Sequence, residues 1–201
     1  MLEKPHKFFE RYPDINLTKL DSYLHGVYEQ MRESGWFGDP NLPDPQGMTI
    51  DVTGQYNLFR HRNEEIQKLR QAIKDMLIEA SEYYGYNFDE ENYVITAWFN
   101  LWRNLYTENI EDKAWHFHDQ VGAPHFHGYY CVNAEPSITY YNINNQIIEN
   151  NNKNNRAILS ETNHAHAAGD WRIPVDRITI AYDIMPKKHV GNEDIRKFIH
   201  I

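Results

Sequence analysis

The clearest period in the chain runs over residues 63–85, where apolar side chains fall at Ile66, Leu69, Ile73, Met76, Leu77, Ala80 and Tyr84. Steps of three and four line one face of a helix. Asn63 is placed to cap it, Glu64 and Glu65 suit its positive end, and Gly85 ends it. Residues 17–34 repeat the pattern with Leu17, Leu20, Leu24, Val27 and Met31, which predicts a helix between Asn16 and Gly35. The intervening GWFGDPNLPDPQG (35–47) reads as loop, and MTIDV (48–52) and YNLF (56–59) as short strands. After residue 92 the period changes to alternation. YVITAWFNLW (93–102), AWHFH (114–118), HGYYCV (127–132), SITYY (137–141), QIIE (146–149), RAIL (156–159) and RITIAYDI (177–184) all read as strands. So many short strands separated by turn residues predict a β-sandwich or barrel, with the helices of the first half covering one sheet. The asparagine-rich NINNQIIENNNKNN (142–155) reads as a solvent hairpin.

Composition narrows the classes. A chain of 201 residues that is 41% hydrophobic and 14% aromatic fits one folded domain, with helical support over 1–92 and a β core over 93–184. A net charge of −9 argues against nucleic acid held on a basic surface. No segment has the length and apolarity of a membrane span or a signal peptide. The single cysteine, Cys131, excludes an internal disulfide and suits a reducing compartment, so a cytoplasmic location is expected.

Eleven histidines are many for this length, and four lie in HFHDQVGAPHFH (116–127). In an extended chain, alternate residues share a face. His116 and His118 therefore point one way, opposite Trp115 and Phe117, and offer two imidazoles to a divalent first-row metal. This pair ends a strand, where cavity mouths form; His125 and His127 instead open the next strand and read as turn and cavity-wall residues, facing substrate together with Tyr129. A third ligand should come from a distant strand, and TNHAHAAGDW (162–171) offers His164 and His166. Arg177 heads a strand in which Thr179 and Ala181 share its face. A buried guanidinium needs a carboxylate, supplied by one of the chain's own acids or by an anionic ligand lying over the small Thr179 and Ala181.

Taken in order, HFHD (116–119), HGYYCV (127–132), SIT (137–139), His166 and Arg177-x-Thr179, preceded by AWFN (97–100), form a series. It resembles the iron(II)- and 2-oxoglutarate-dependent oxygenases of the double-stranded β-helix fold, a jelly-roll or cupin-like architecture. Within them it is most similar to the prolyl-hydroxylase-like branch of small oxygenases found in bacteria and marine phages. The resemblance spans roughly residues 48–184, and the late histidine of that family precedes its arginine by about eleven positions, which selects His166. It implies Fe(II) held by His116 and His166, 2-oxoglutarate held through its far carboxylate by Arg177 and Thr179, and O2 as oxidant. The substrate would be a peptide prolyl side chain or a small molecule. The chain departs from the pattern at one place. The family's His-x-Asp motif has His118 where the aspartate belongs, with Asp119 one residue late, so the expected set is His116, His118 and His166, with Asp119 as the alternative third ligand. Two other readings stand beside the oxygenase: a cupin-like metal protein without that activity, and a non-catalytic phage β-sandwich.

Overall fold

The computed structural model describes residues 4–34, 49–50, 57–89, 91–102, 110–111, 113–118, 126–162, 164–190 and 197–201. Both predicted helices form. The first, α1 (Leu17–Glu33), is capped by Asn16, whose side chain accepts from the Lys19 amide. The second, α2 (Glu64–Tyr84), is capped by Asn63 accepting from the Glu65 and Ile66 amides, and it ends at Gly85 in the left-handed region at φ 76°. Among the described residues no helix is long and apolar enough to cross a membrane.

The strands, in chain order, are β1 (Phe9–Arg11), β2 (Thr49–Ile50), β3 (Tyr93–Trp102), β4 (Phe126–Asn133), β5 (Ile138–Ile143), β6 (Gln146–Asn151), β7 (Ala157–Glu161), β8 (Ala165–Ala168), β9 (Arg177–Pro186) and β10 (Ile199–His200). They build two antiparallel sheets. The larger runs β1-β7-β4-β9-β3-β10 with β2 also on β3; the smaller runs β6-β5-β8. His116 adds one rung to the smaller sheet by bridging to His166. The architecture is a double-stranded β-helix, as the family resemblance implies, and α1 and α2 cover the outer face of the larger sheet, as the periodicity predicts. Leu24, Ile66, Leu69, Ile73 and Leu77 from the helices share one core with Ile95, Phe99, Leu159, Ile180 and Tyr182 from that sheet. Between the two sheets lies a second, smaller core of Tyr129, Cys131, Ala134, Tyr141, Ile143 and Ile158. Buried on both faces, β4 and β9 lose much of the in–out alternation of a half-exposed strand.

Several expectations are corrected. YNLF is not a strand: Leu58–Arg60 form a 3-10 turn, because the buried Asn57 caps it and also donates to the Ile95 and Lys197 carbonyls. Leu58 and Phe59 are consequently both buried, which alternation would forbid. Thr49–Ile50 of MTIDV pair with β3 as expected, while the rest of that stretch and loop 35–47 lie outside the described residues. The division into helical support and β core is too sharp, since β1 and β2 join the large sheet from the first half and β10 joins it beyond residue 184. AWHFH makes only the His116 rung, and Phe117 is 53% exposed rather than packed. Its chain is bent locally by Trp115, whose amide donates to the Lys113 carbonyl and whose Nε1 donates to that of Ile110.

The asparagine tract is more than a solvent hairpin. Asn144 and Asn145 turn the β5–β6 hairpin with φ of 53° and 61°, the positive values a two-residue turn requires. Asn152, however, is 2% exposed and bonds both Ser137 and Thr139.

Gly128 in β4 marks a close approach. A Cβ there would collide with the Ile158 carbonyl oxygen and the Tyr182 ring, whose hydroxyl donates to that same carbonyl at 2.6 Å. Neither neighbour can yield without breaking this bond. Gly128→Ala should therefore cost roughly 3 kcal/mol, the upper end for overpacking, read as a lowered urea midpoint.

Candidate metal centre and anion site

Strand register assigns the inner face of the large sheet. Arg177, Thr179, Ala181 and Asp183 of β9 lie opposite Trp102, Asn100, Trp98 and Thr96 of β3. On the other side of β9, Cys131, Tyr129 and His127 of β4 lie opposite Thr179, Ala181 and Asp183. From the smaller sheet, Tyr141 and His166 are register partners. The space between the sheets thus has two chemically distinct ends, one rich in imidazole and one holding a guanidinium.

At the first end His116, His118 and His166 each bring a ring nitrogen within 4.8 Å of the others'. Ring centroids are 4.3 Å apart for His116 and His166 and 5.2 Å for His118 and His166. The backbone rung, His116 N to His166 O at 3.1 Å and the reverse at 2.8 Å, holds two of the three side by side. His164, one pleat away, packs instead against the His6 ring at 4.5 Å. Asp119 and His125 lie outside the described residues.

The protonation pattern of these rings follows from their partners. His116 Nδ1 faces the Ala114 carbonyl at 3.0 Å, and a carbonyl only accepts, so Nδ1 carries the proton and Nε2 keeps its lone pair. His118 Nδ1 donates in the same way to Asp183 Oδ2 at 3.1 Å. Burial pushes His166 well below the ordinary histidine range, the neighbouring imidazoles His127, His116 and His118 push the same way, and a hydrogen bond with the His164 backbone opposes them. Burial also lowers His116. An imidazole whose one nitrogen is fixed by an acceptor, as His116 and His118 are, offers the other to a metal.

Two residues have roles the sequence did not suggest. His127, expected in the wall of the cavity, is buried in β4, and its Nδ1 donates to Asp183 Oδ1 at 2.7 Å. Burial pushes it down to about 4, with His118 adding to the shift. Asp183 thus accepts from two histidines, one on each oxygen. Burial alone would raise its pKa, but His118 and His127 outweigh that and hold the carboxyl well below the usual carboxylate range. His118, His127 and Asp183 form a second close set of donors that shares His118 with the first. The signal for Asp183 was its parity: it shares a strand face with Arg177, Thr179 and Ala181.

At the other end Arg177 is 3% exposed. Its Nε donates to Ser137 Oγ at 3.0 Å, and among the described residues no acidic side chain pairs with it. Burial lowers its pKa. Thr179, buried beside it, accepts from Asn100 Nδ2 at 3.4 Å. Tyr129 packs in the small inter-sheet core, and burial raises its hydroxyl pKa.

No family model matches the sequence, and no curated protein matches it. Solved structures do match. A prolyl hydroxylase from Trichoplax adhaerens, in complex with a hypoxia-inducible-factor peptide fragment, superposes with a TM-score of 0.59 at 10% identity over 90% of this chain and 84% of that one. A Pseudomonas putida prolyl-4-hydroxylase gives 0.55 at 5% identity over 90% and 86%. A non-heme monooxygenase, ThoJ, in complex with nickel gives 0.55 at 11% identity over 90% and 74%. The chain therefore has the double-stranded β-helix fold of these oxygenases; at such identities the likeness is one of fold.

Proposed function

We propose that the chain is an Fe(II)- and 2-oxoglutarate-dependent oxygenase, with His116, His118 and His166 holding the metal. Arg177 and Thr179 hold the far carboxylate of the cosubstrate. The observation that carries this reading is Arg177: a buried guanidinium with no acidic partner among the described residues costs on the order of several kcal/mol, and an anionic ligand lying over Thr179 and Ala181 removes that cost. A cupin-like metal protein without cosubstrate would have no use for it. The donor set fits a first-row metal, because three imidazoles converge and one nitrogen of His116 and of His118 is engaged by the Ala114 carbonyl and by Asp183. Resemblance in sequence and likeness in fold to oxygenases that include prolyl hydroxylases point the same way.

Bound iron supplies O2 activation coupled to oxidative decarboxylation of 2-oxoglutarate. The protein's part is placement. Ser137 fixes Arg177 through Nε, leaving the two terminal nitrogens of the guanidinium fork for a bidentate carboxylate, and the Thr179 hydroxyl adds a hydrogen bond. On the face of β9 between Arg177 and Asp183 stand only the small Thr179 and Ala181. Trp98, 5.8 Å from the His118 ring, walls the metal end. The substrate this reading admits is a peptide prolyl side chain or a small molecule, hydroxylated at carbon.

Anaerobic titration of the purified protein with Fe(II) and then 2-oxoglutarate tests it. The expected result is a visible charge-transfer band that needs both components and saturates at one equivalent of each. Tight metal binding with no band on addition of 2-oxoglutarate would leave a metal protein of another kind.

A further inference from the structure

The proposed ligand set is three neutral imidazoles, whereas sites of this type ordinarily use two imidazoles and one carboxylate. We propose that Asp183 is the missing carboxylate of this centre, acting from behind His118 rather than on the ion. This rests on the metal site proposed above.

The geometry is that of a carboxylate–histidine–metal relay. His118 turns Nδ1 to Asp183 Oδ2 at 3.1 Å and belongs at the same time to the His116–His166 cluster, leaving its other nitrogen for the ion. A carboxylate in this position fixes the tautomer, orients the ring and raises its basicity as a ligand. It also brings a full negative charge to the far side of one imidazole, so the net charge of the site matches that of the ordinary triad. His127 completes the arrangement from β4. Its Nδ1 takes Asp183 Oδ1 at 2.7 Å, and its ring stacks on that of His118 with centroids 4.0 Å apart. Asp183 is thereby fixed at both oxygens, and its register partners His127 and Thr96 sit on the two strands flanking β9. Asp183 is a positioning residue and His127 its support.

Mn(II) binding by calorimetry, in the absence of 2-oxoglutarate, tests the relay through a cycle of variants. Asp183→Asn keeps the shape but loses the charge, and should weaken Mn(II) about 10- to 100-fold. His118→Asp moves a carboxylate directly onto the ion and makes the relay redundant. In that background Asp183→Asn should weaken Mn(II) far less, because no His118 imidazole remains for Asp183 to orient and polarise and only its longer-range charge is lost. That non-additivity is what a merely structural aspartate cannot produce. An equal loss in both backgrounds, or undiminished binding in Asp183→Asn alone, overturns the relay while leaving the metal site standing. A wild-type protein that binds no Mn(II) overturns the metal site, and the relay with it.

Discussion

Arg177→Ala is expected to weaken 2-oxoglutarate binding by roughly 30-fold to several thousand-fold while Mn(II) binding persists. Truncating one partner of a buried, hydrogen-bonded charge pair costs about 2–5 kcal/mol, and each 1.4 kcal/mol is a factor of about ten. Metal binding should survive because Arg177 and Asp183 lie six residues apart on β9, at opposite ends of the inter-sheet space. Arg177→Met gives the complementary result. It fills a similar volume without the buried charge, so the ligand-free protein should become more resistant to urea even as the cosubstrate is lost. Ser137 tolerates the change, since its hydroxyl still donates to the Ala134 carbonyl and accepts from Asn152. Opposed movement of stability and affinity identifies an anion site. A fall in both would make Arg177 a structural residue, and calorimetry giving equal 2-oxoglutarate affinity in wild type and Arg177→Ala would remove the cosubstrate assignment.

His166→Ala should abolish stoichiometric Mn(II) binding, and His127→Ala should not. His166 is buried at the centre of the cluster, with His116 at 4.3 Å and His127 at 4.6 Å by ring centroids. Its loss removes one of three donors, but the pairing of β8 with β5 and with His116 runs through backbone atoms and stays. Vanished binding with an intact fold is therefore the expected signature, checked by Mn(II) electron paramagnetic resonance beside circular dichroism. His127 acts through Asp183, so its removal should weaken the ion only several-fold. The reverse result, with His166→Ala loaded and His127→Ala empty, would move the ion to His118, His127 and Asp183.

Much of this arrangement was legible in the sequence because strand parity is a strong constraint. His116 with His118, and Arg177 with Thr179 and Ala181, share faces wherever the chain is extended, and the cavity is built on those faces. The two helices were equally legible, with Asn16, Asn63 and Gly85 at their ends. What escaped was set by contacts distant in sequence. Asp183 stood in plain view in RITIAYDI, but its partners His118 and His127 lie 65 and 56 residues away. Asn57 turned an apparent strand into a 3-10 turn by bonding carbonyls at Ile95 and Lys197. Short β8 was missed because AHAA has no β-branched residue and gains its place only by pairing with β5.

Among the described residues, the segment that carries His116 and His118 pairs with a strand at one rung. Its moorings include Lys113 to Asp170 at 2.6 Å, the rung to His166, and His118 to Asp183. Each ties it to a different part of the chain. An ion shared by His116, His118 and His166 would add a further mooring in the middle, so loading the centre and fastening this stretch would become a single equilibrium. Part of the affinity is then spent on ordering protein, and the amide protons of His116 and His166, locked in the reciprocal rung, become a built-in gauge of occupancy. Their exchange with solvent should slow when the centre is filled and quicken when it empties, which hydrogen exchange with and without Mn(II) checks.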